Sequence, residues 1–279
     1  MPVTIWGGID FRRRLSYKRE NTRRIQAGKE STLVPDIWRE EFRIRSYDAD
    51  PNGRASLTAV YSYLLESAGN HATAGGFGFE GMQALGLIWV LTRFKLVVDR
   101  YPEWGGKAGI ETWARGREGL FYTRDYYLKD AAGDVLGRAT SSWAVLTADA
   151  HKPETRDIFS GQFPQHPERQ AIGEKMEKIP AVENPDLVSG YRVRWSDLDF
   201  NRHVNSMRYV EWILNGLDEA TRFGRAFKSM EVNYLAETLL GDDVEIRVQK
   251  MPGPPAALLA GVTAKATGKD AARARLELG

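Results

Sequence analysis

Residues 42–54 read Phe-Arg-Ile-Arg-Ser-Tyr-Asp-Ala-Asp-Pro-Asn-Gly-Arg, and residues 191–203 read Tyr-Arg-Val-Arg-Trp-Ser-Asp-Leu-Asp-Phe-Asn-Arg-His. The two stretches align without a gap at an offset of 149 residues (191 − 42), and five of the thirteen positions are identical. A match of this kind within one chain indicates an internal repeat. The 279 residues are also enough for two domains of average size.

The local pattern of the repeat predicts a strand, a turn and a helix in each copy. Each copy opens with apolar residues alternating with arginine, which is typical of a half-buried strand, and then enters an Asp/Asn-rich turn that can cap a helix. Apolar residues follow at helical spacing, namely Leu57, Val60, Leu64 and Ala68 in the first copy and Val204, Met207, Val210, Ile213 or Leu214, and Leu217 in the second. β-rich stretches come next, at residues 89–98, 109–113, 122–128 and 138–146, and again at 230–235, 244–248 and 258–263.

A strand, a long helix and several antiparallel strands, present twice, predict an α+β protein with a tandem double hot-dog architecture, in which each of two antiparallel sheets wraps around a long helix. The predicted domains are an N-terminal hot dog at residues 38–148 and a C-terminal hot dog at residues 190–279. Residues 149–189 carry five prolines among charged residues, which is the composition of a linker.

Residues 1–37 contain eight Lys/Arg against four acidic residues. They lack the apolar segment of a secretory signal and the Ser-rich, acid-poor composition of an organellar transit peptide. We therefore expect a poorly ordered basic N-terminal extension or an arm that contacts a partner.

Composition narrows the classes of function. The chain has no cysteine, which removes disulfides, thiolate metal sites and a cysteine nucleophile, and which fits a reducing compartment such as the cytoplasm. A net charge of +2 is too small to favour nucleic acid. The apolar run at residues 85–91 is too short to span a membrane.

Two motifs that suggest ligands do not survive inspection. Residues 76–81 match the dinucleotide fingerprint G-x-G-x-x-G but follow a predicted helix rather than a strand, so we interpret them as a flexible loop. Residues 48–53 begin like a calcium loop, but its twelfth position is Ala59 rather than an acid. We expect no metal and no cofactor.

The four histidines differ in context. His151 and His166 lie in the linker and are expected on the solvated surface, and His71 ends the first predicted helix, where a capping or core role is expected. His203 stands at the N-terminal edge of the second predicted helix, four residues after Asp199. It is therefore the histidine best placed for chemistry.

The repeat gives Asp199 and Asn201 two open interpretations. Both have counterparts in the first copy, Asp50 and Asn52. Side chains of these types shape turns and cap helices, so spacing alone favours a structural role for them.

The second copy alone gains two ionisable groups. His203 aligns with Arg54, and Glu237 pairs with Tyr101 at an offset of 136 (241 − 105), in what we expect to be the following strand. If one half is catalytic, the sequence therefore favours the second.

The segments Arg194-Trp-Ser-Asp-Leu-Asp-Phe-Asn-Arg-His-Val-Asn205 and Tyr209-Val-Glu-Trp-Ile-Leu214 resemble the most characteristic stretch of the acyl-acyl-carrier-protein (acyl-ACP) thioesterases of bacteria and plant plastids. Four upstream segments also fit that family: Phe42-Arg-Ile-Arg-Ser-Tyr47, Leu87-Ile-Trp-Val90, Arg100-Tyr-Pro-Glu-Trp-Gly105 and Arg138-Ala-Thr-Ser-Ser-Trp143. The resemblance spans about residues 40–265. It implies an acyl chain bound mainly by the N-terminal hot dog, catalysis in the C-terminal one, and an acyl carrier protein as partner.

The resemblance also assigns roles. The family's catalytic Asp, Asn and His fall on Asp199, Asn201 and His203, and its further glutamate falls on Glu237. Many plant members have a cysteine directly after that glutamate, whereas this chain has Thr238, so a cysteine nucleophile cannot operate here.

Thioester hydrolysis needs an activated water, a polarised carbonyl and a site for the oxyanion. Glu237 or Asp199 is the candidate base, Asn201 would orient water or thioester, and His203 would position the carboxylate or protonate the leaving thiolate. Backbone amides at the start of the following helix would face the carbonyl. Candidate acyl-chain contacts lie on the first helix and next strand, namely Tyr63, Leu64, Met82 and Trp89, although a simple core role is an equal alternative.

Two other functions remain open. An acyl-CoA thioesterase would use the same chemistry on a different carrier, and a non-catalytic acyl-binding protein would use the same fold. A hot-dog hydratase is disfavoured because Arg202 leads directly to His203, where hydratases place a proline and one further residue. A cytoplasmic protein that can form a homodimer is the accompanying expectation.

Overall fold

The structure is a computed structural model that describes residues 34–159, 161–199, 201–224, 226–253 and 255–279. Most of the basic N-terminal extension predicted at residues 1–37 therefore lies outside the described residues. Residues 35–279 form one compact unit, and it contains both copies of the repeat.

The first half begins with a short strand and a long helix, as the repeat predicts. Ser56 caps the helix by accepting a hydrogen bond from the N–H of Ala59. The elements are β1 (Trp38–Arg43), α1 (Leu57–Ala74), α2 (Phe79–Ala84), β2 (Leu87–Val98), β3 (Lys107–Glu118), β4 (Phe121–Lys129) and β5 (Val135–Thr147).

The second half repeats this order with a shorter central helix. Asn205 caps that helix by accepting a hydrogen bond from the N–H of Met207. The elements are β6 (Leu187–Arg192), a single 3-10 turn (Trp195–Asp197), α3 (Ser206–Asn215), α4 (Glu219–Gly224), β7 (Phe227–Tyr234), β8 (Asp243–Met251), β9 (Ala257–Ala264) and β10 (Lys269–Leu278).

The described strands form one ten-stranded sheet in the order β1-β3-β4-β5-β2-β7-β10-β9-β8-β6. The order 1-3-4-5-2 of the first half returns as 6-8-9-10-7 in the second, with antiparallel pairing throughout. The halves join where β2 pairs with β7, in a register that places Phe94 opposite Val232. The sheet is therefore continuous across the repeat.

The two central helices share one core. α1 packs on β1, β3 and β4, α3 packs on β8 and β9, and the helices also contact each other. Buried apolar residues from both halves belong to a single cluster that includes Leu64 of α1, Ile213 of α3 and Met230 of β7. The predicted α+β class with two sheet-wrapped helices is confirmed.

Three details of the local structure differ from what the sequence predicted. β10 was not anticipated, because residues 269–278 alternate Ala with Arg and lack the β-branched residues typical of strands. Residues 187–189 were assigned to the linker but belong to β6. Residues 76–81 are not wholly a loop, because Gly78 caps α2 and Gly81 lies inside it.

The segment predicted as a linker also contributes to the core. Phe159 and Phe163 are buried and stack on each other with ring centroids 4.9 Å apart. Phe163 approaches the end of α1 so closely that a Cβ at Gly75 would clash with its ring. Proline content predicted the irregular backbone correctly, but not this packing against the first half.

Candidate active site

The turn between β6 and α3 carries three of the four predicted catalytic residues. Asp197 is buried and anchors it, since its carboxylate accepts the N–H of Arg194 at 2.7 Å and the hydroxyl of Tyr191. Its carbonyl accepts the N–H of Asn205, the cap of α3. The turn is thereby fixed to both the strand before it and the helix after it.

Asp199 shapes the inner part of this turn. Its Oδ1 accepts the N–H of Asn201 at 2.8 Å and that of His203 at 3.1 Å. In the first half, Oδ1 of Asp50 accepts the N–H groups of Asn52 and Arg54 at 2.9 and 3.1 Å. The structural role that spacing suggested for Asp199 is therefore present in both halves.

The backbone of the two turns also matches at its tightest point. Arg202 has a φ of 68°, and its counterpart Gly53 has a φ of 74°. Side chains other than glycine rarely adopt this left-handed region, because Cβ then crowds the following carbonyl. The second half therefore carries local strain directly before His203 that the first half avoids.

His203 and Glu237 are brought together although 34 residues separate them (237 − 203). The imidazole Nδ1 lies 3.5 Å from Oε1 of Glu237. The two side chains are 45% and 55% exposed, so both face solvent from which a water or substrate can approach. A carboxylate beside an exposed imidazole is suited to general acid–base chemistry.

Glu237 lies outside the strand in which it was expected. β7 ends at Tyr234, and residues 235–242 form an irregular segment. This segment is tied to the turn by the N–H of Gly241, which donates to the carbonyl of Val193 at 3.0 Å. In the first half, Gly105 donates to Ile44 in the same way, so the pairing of Glu237 with Tyr101 is structural as well as sequential.

Thr238 and Tyr209 hold the segment that carries Glu237. Thr238 is fully buried, and its N–H donates to the hydroxyl of Tyr209 on α3 at 3.1 Å. The threonine Oγ1 lies 2.9 Å from the same hydroxyl. Burial raises the pKa of the Tyr209 phenol, which keeps it neutral and able to serve both contacts. Helix α3 therefore positions Glu237 through one phenol.

Sequence reasoning missed Tyr209. The repeat contained a signal for it, because Tyr209 stands at the offset of 149 from Val60, an apolar core position in α1. The second half, which carries the ionisable pair, thus has a hydroxyl where the first half has a core valine. That difference could have indicated a role for Tyr209.

A second group of hydroxyls links the halves at the start of α3. The hydroxyls of Tyr61 and Tyr234 lie 2.8 Å apart. Tyr61 also donates to Oγ of Ser206, and Tyr234 donates to the backbone carbonyl of Ser206. Burial raises the pKa of both phenols, so the group is neutral. It fixes the first residue of α3 against the first-half helix.

The four predicted residues are only partly brought together. Within the ranges that the structure describes, no hydrogen bond between two side chains joins Asp199 or Asn201 to His203 or Glu237, and Asp199 reaches His203 only through the backbone N–H of the histidine. Asn201 is exposed, and its N–H serves the turn. The geometry therefore supports the pair His203 and Glu237 directly, and Asp199 through the turn that it shapes.

The remaining histidines lie elsewhere. His71 is completely buried, as expected for a core role, with its Nε2 2.8 Å from the carbonyl of Pro35 and its Nδ1 3.0 Å from the guanidinium of Arg124. Burial, with the nearby Arg124 charge, lowers the pKa of His71 to about 4. His151 is exposed as expected, but His166 is only 25% exposed, so its assignment to the solvated surface is wrong.

The candidate acyl-chain residues occupy different surroundings. Leu64 and Met82 are buried. Trp89 donates to the carbonyl of Phe77 at 2.9 Å. Tyr63 lines a cavity of about 570 Å³ beside α1, which Met207 of α3 also lines. Tyr63 is therefore the one of the four on the wall of this cavity.

Two further findings concern the described residues alone. None of their helices is long and apolar enough to cross a bilayer. No three or more of their His, Asp or Glu side chains are grouped in a way that could hold a metal ion.

The sheet is continuous and the two central helices pack together, which defines a double hot-dog protein. A histidine and a glutamate lie close together near the N-terminus of α3, where they are suited to acid–base chemistry. Solved structures share this fold. An acyl-ACP thioesterase from Bacteroides thetaiotaomicron matches with a TM-score of 0.79 and 25% identity, over 88% of this chain and 98% of that one. The 12:0-ACP thioesterase from Umbellularia californica matches with the same score and identity, over 90% and 96%.

The sequence places the chain within a family. Residues 35–157 match the acyl-ACP thioesterase N-terminal domain, and residues 182–276 match the C-terminal domain. The chain belongs to the acyl-ACP thioesterase family. It is 33% identical over 226 residues to the chloroplastic oleoyl-acyl carrier protein thioesterase 1 of Arabidopsis thaliana, covering 75% of this chain and 62% of that protein's length. It is 34% identical over 216 residues to the chloroplastic palmitoyl-acyl carrier protein thioesterase of the same plant, covering 72% and 52%.

Proposed function

We propose that this protein hydrolyses the thioester of fatty acyl-ACP, releasing a free fatty acid and holo-ACP and thereby ending chain elongation. The observation that carries the proposal is the pairing of His203 with Glu237 in a member of this family. The pair stands where the first half has Arg54 and Tyr101, neither of which is suited to take a proton near neutral pH.

In the proposed mechanism, Glu237 takes a proton from the attacking water and His203 orients that carboxylate or protonates the departing thiolate. The alternative base, Asp199, already accepts two backbone N–H groups with one oxygen, which favours its role in holding the turn. Helix α3 begins three residues after His203, so its N-terminal dipole favours the oxyanion that develops on the thioester carbonyl. Asn201 is exposed at the same turn and is assigned to orienting the water or the thioester.

The proposal divides the work between the halves. Residues 38–148 would bind the acyl chain, and residues 190–279 would carry the chemistry. The candidate acyl site is the cavity beside α1, which combines first-half residues with Met207 of α3, the helix that follows the catalytic turn. Burial of each CH₂ is worth about 0.8 kcal/mol, so the depth available to the chain would set its preferred length.

The partner in this proposal is an acyl carrier protein bearing its acyl group on phosphopantetheine. Carrier proteins of this kind are acidic, so docking would use Arg and Lys side chains and would weaken with salt. We place the protein in the cytoplasm, in line with its lack of cysteine, and assign it a capacity to form homodimers.

The test is an assay of the full chain on acyl-ACP and acyl-CoA substrates of varied chain length, with identification of the acids released. We expect release from acyl-ACP, and a loss of about 10²–10⁴-fold in His203→Ala and Glu237→Ala, the usual contribution of one acid or base. Arg54→Ala is the matched control at the first-half position and should retain turnover.

Each alternative has its own outcome in this assay. A preference for acyl-CoA would make the protein an acyl-CoA thioesterase. Failure to release acid from any acyl thioester would leave a non-catalytic acyl-binding protein. Near-normal turnover in both His203→Ala and Glu237→Ala would remove the residue assignment.

A further inference from the structure

A cavity of about 340 Å³ occupies the first-half position that corresponds to the catalytic turn. Its wall includes the counterparts of all four predicted catalytic residues, namely Asp50, Asn52, Arg54 and Tyr101. The volume lies within the roughly 300–1,000 Å³ of small-molecule pockets, at the lower end. The repeat therefore contains a second concave site, which we call the first-half cavity.

The opposite wall of the first-half cavity comes from the second half of the chain. Leu214 of α3, Phe223 of α4 and Phe227 of β7 line it, and Phe223 is 47% exposed. Leu57 at the start of α1 adds an apolar contact from the first half. Apolar side chains from three elements thus face one region of the cavity.

The charges on the wall favour an anion. Arg54 makes only a distant ion pair with Asp50, at 3.9 Å, and its Nε is buried without a hydrogen-bond partner. Oδ1 of Asp50 is engaged by two backbone N–H groups of the turn. Arg222 also lines the cavity and, among the described residues, forms no ion pair within 4 Å, whereas the acid Glu211 is paired with Arg208.

The same residues are unsuited to hydrolysis. The guanidinium of Arg54 carries hydrogen-bond donors and no acceptor. The hydroxyl of Tyr101 donates to the carbonyl of Phe227 at 2.7 Å, and burial raises the pKa of that phenol well above its usual value. The cavity therefore offers binding chemistry without a counterpart of the His203–Glu237 pair.

We propose that the first-half cavity binds an amphiphilic anion, a carboxylate on a short or medium alkyl chain. The carboxylate lies against Arg54 and Arg222, and the chain lies against Leu214, Phe223 and Phe227. Arginine suits a carboxylate because its planar fork donates two parallel hydrogen bonds. The fatty acid released by the enzyme would be a natural source of this ligand. This source depends on the proposed function, whereas the binding itself does not.

The test is calorimetric titration of the full chain with octanoate, octylamine and octanol. We expect octanoate to bind, and octylamine, which reverses the charge, to bind at least tenfold more weakly. Arg54→Gln and Arg222→Gln should each weaken octanoate binding about tenfold or more, as expected for loss of a charged hydrogen bond, while Arg54→Lys, which keeps the charge but loses the planar fork, should weaken it less than Arg54→Gln. Arg138→Gln, which removes a surface arginine paired with Asp99, is the matched control and should have no effect.

Two more variants separate this cavity from the catalytic site and from a folding defect. His203→Ala should leave this octanoate binding unchanged. Leu214→Trp should abolish it by filling the cavity without removing a charge. Wild-type affinity in both Arg54→Gln and Arg222→Gln, or equal binding of octanoate and octylamine, would overturn the proposal. Absence of thioester hydrolysis would refute the proposed function while leaving these binding results intact.

Discussion

The turns at residues 45–56 and 194–205 have nearly the same hydrogen bonds and very different chemistry. Asp48 and Asp197 each accept the N–H of the first residue of the turn, and Asp50 and Asp199 each accept two further N–H groups of their own turn. The difference is confined to the side chains that the shared backbone presents. The turn is therefore a scaffold common to both halves, and only the second copy places an imidazole, that of His203, beside the carboxylate of Glu237.

His71 of the first half and His203 of the second half differ in their burial and in the charge of their neighbours. His71 ends a long helix, is completely buried and touches the guanidinium of Arg124. His203 precedes a short helix, is half exposed and faces the carboxylate of Glu237. The first half therefore holds its histidine inside the core, and the second half presents its histidine to solvent beside a carboxylate.

Replacement of the turn aspartates, one at a time, should reveal the largest difference between the two turns. Asp50→Ala and Asp199→Ala should each lower the free energy of unfolding by about 1–2 kcal/mol, because each leaves two backbone N–H groups of a turn without an acceptor. Only Asp199→Ala should also lower kcat/KM, by about 10²-fold or more, since the affected turn carries His203. Denaturant unfolding and steady-state kinetics on both variants are the measurements. Equal values of kcat/KM in the two variants would show that Asp199 has only a structural role.

The buried histidine of the first half makes stability depend on pH. In the unfolded chain His71 binds a proton below about pH 6.5, whereas the folded protein holds its pKa near 4. The unfolded state therefore takes up a proton first as pH falls, and stability is lost between about pH 6.5 and 4, by about 3 kcal/mol.

His71→Gln should flatten that part of the pH profile, as followed by urea unfolding at intervals of pH. Turnover near pH 7 should change little, in contrast to His203→Ala. A variant with the same loss between pH 6.5 and 4 as the wild type would show that other groups cause it.

Removing the phenol that holds the Glu237 segment should have an intermediate effect. Tyr209→Phe leaves the buried N–H and Oγ1 of Thr238 without a partner, which costs about 1–3 kcal/mol of stability. We expect kcat to fall about tenfold with KM nearly constant, because Glu237 is displaced and not removed.

Thr238→Ser keeps the hydroxyl and is the matched control for Tyr209→Phe, so it should retain most of the wild-type kcat. A Tyr209→Phe variant with normal kcat and reduced stability would show that the phenol has only a structural role.

The smallest effect concerns the tightest point of the two turns. Arg202→Gly should raise the stability by up to about 1 kcal/mol, because glycine adopts the left-handed backbone at this position without strain. Gly53→Ala, its mirror in the first half, should lower stability by about 1 kcal/mol. Thermal unfolding of the two variants would decide this, and a shift of the same sign in both would contradict the equivalence of the turns.

The sequence predicted those features that depend on neighbours along the chain. Hydrophobic periodicity gave α1 and most strands, and the offset of 149 residues gave the two matching halves. The same offset singled out His203, and the second offset singled out Glu237. β10 escaped because its Ala/Arg alternation carries little strand propensity, and its strand state depends on pairing with β7 and β9.

Turn chemistry and side-chain period are local properties, so the repeat, the order of elements within it and the ionisable groups that only one copy carries can be read from the residues alone. The tertiary structure alone decided that β2 and β7 join the halves into one sheet, that Phe163 of the linker packs against α1, and that Tyr209 holds Glu237 beside His203. These contacts join residues far apart in the chain, and they form because burial leaves each hydroxyl, ring and strand edge only the partners that the packed core provides.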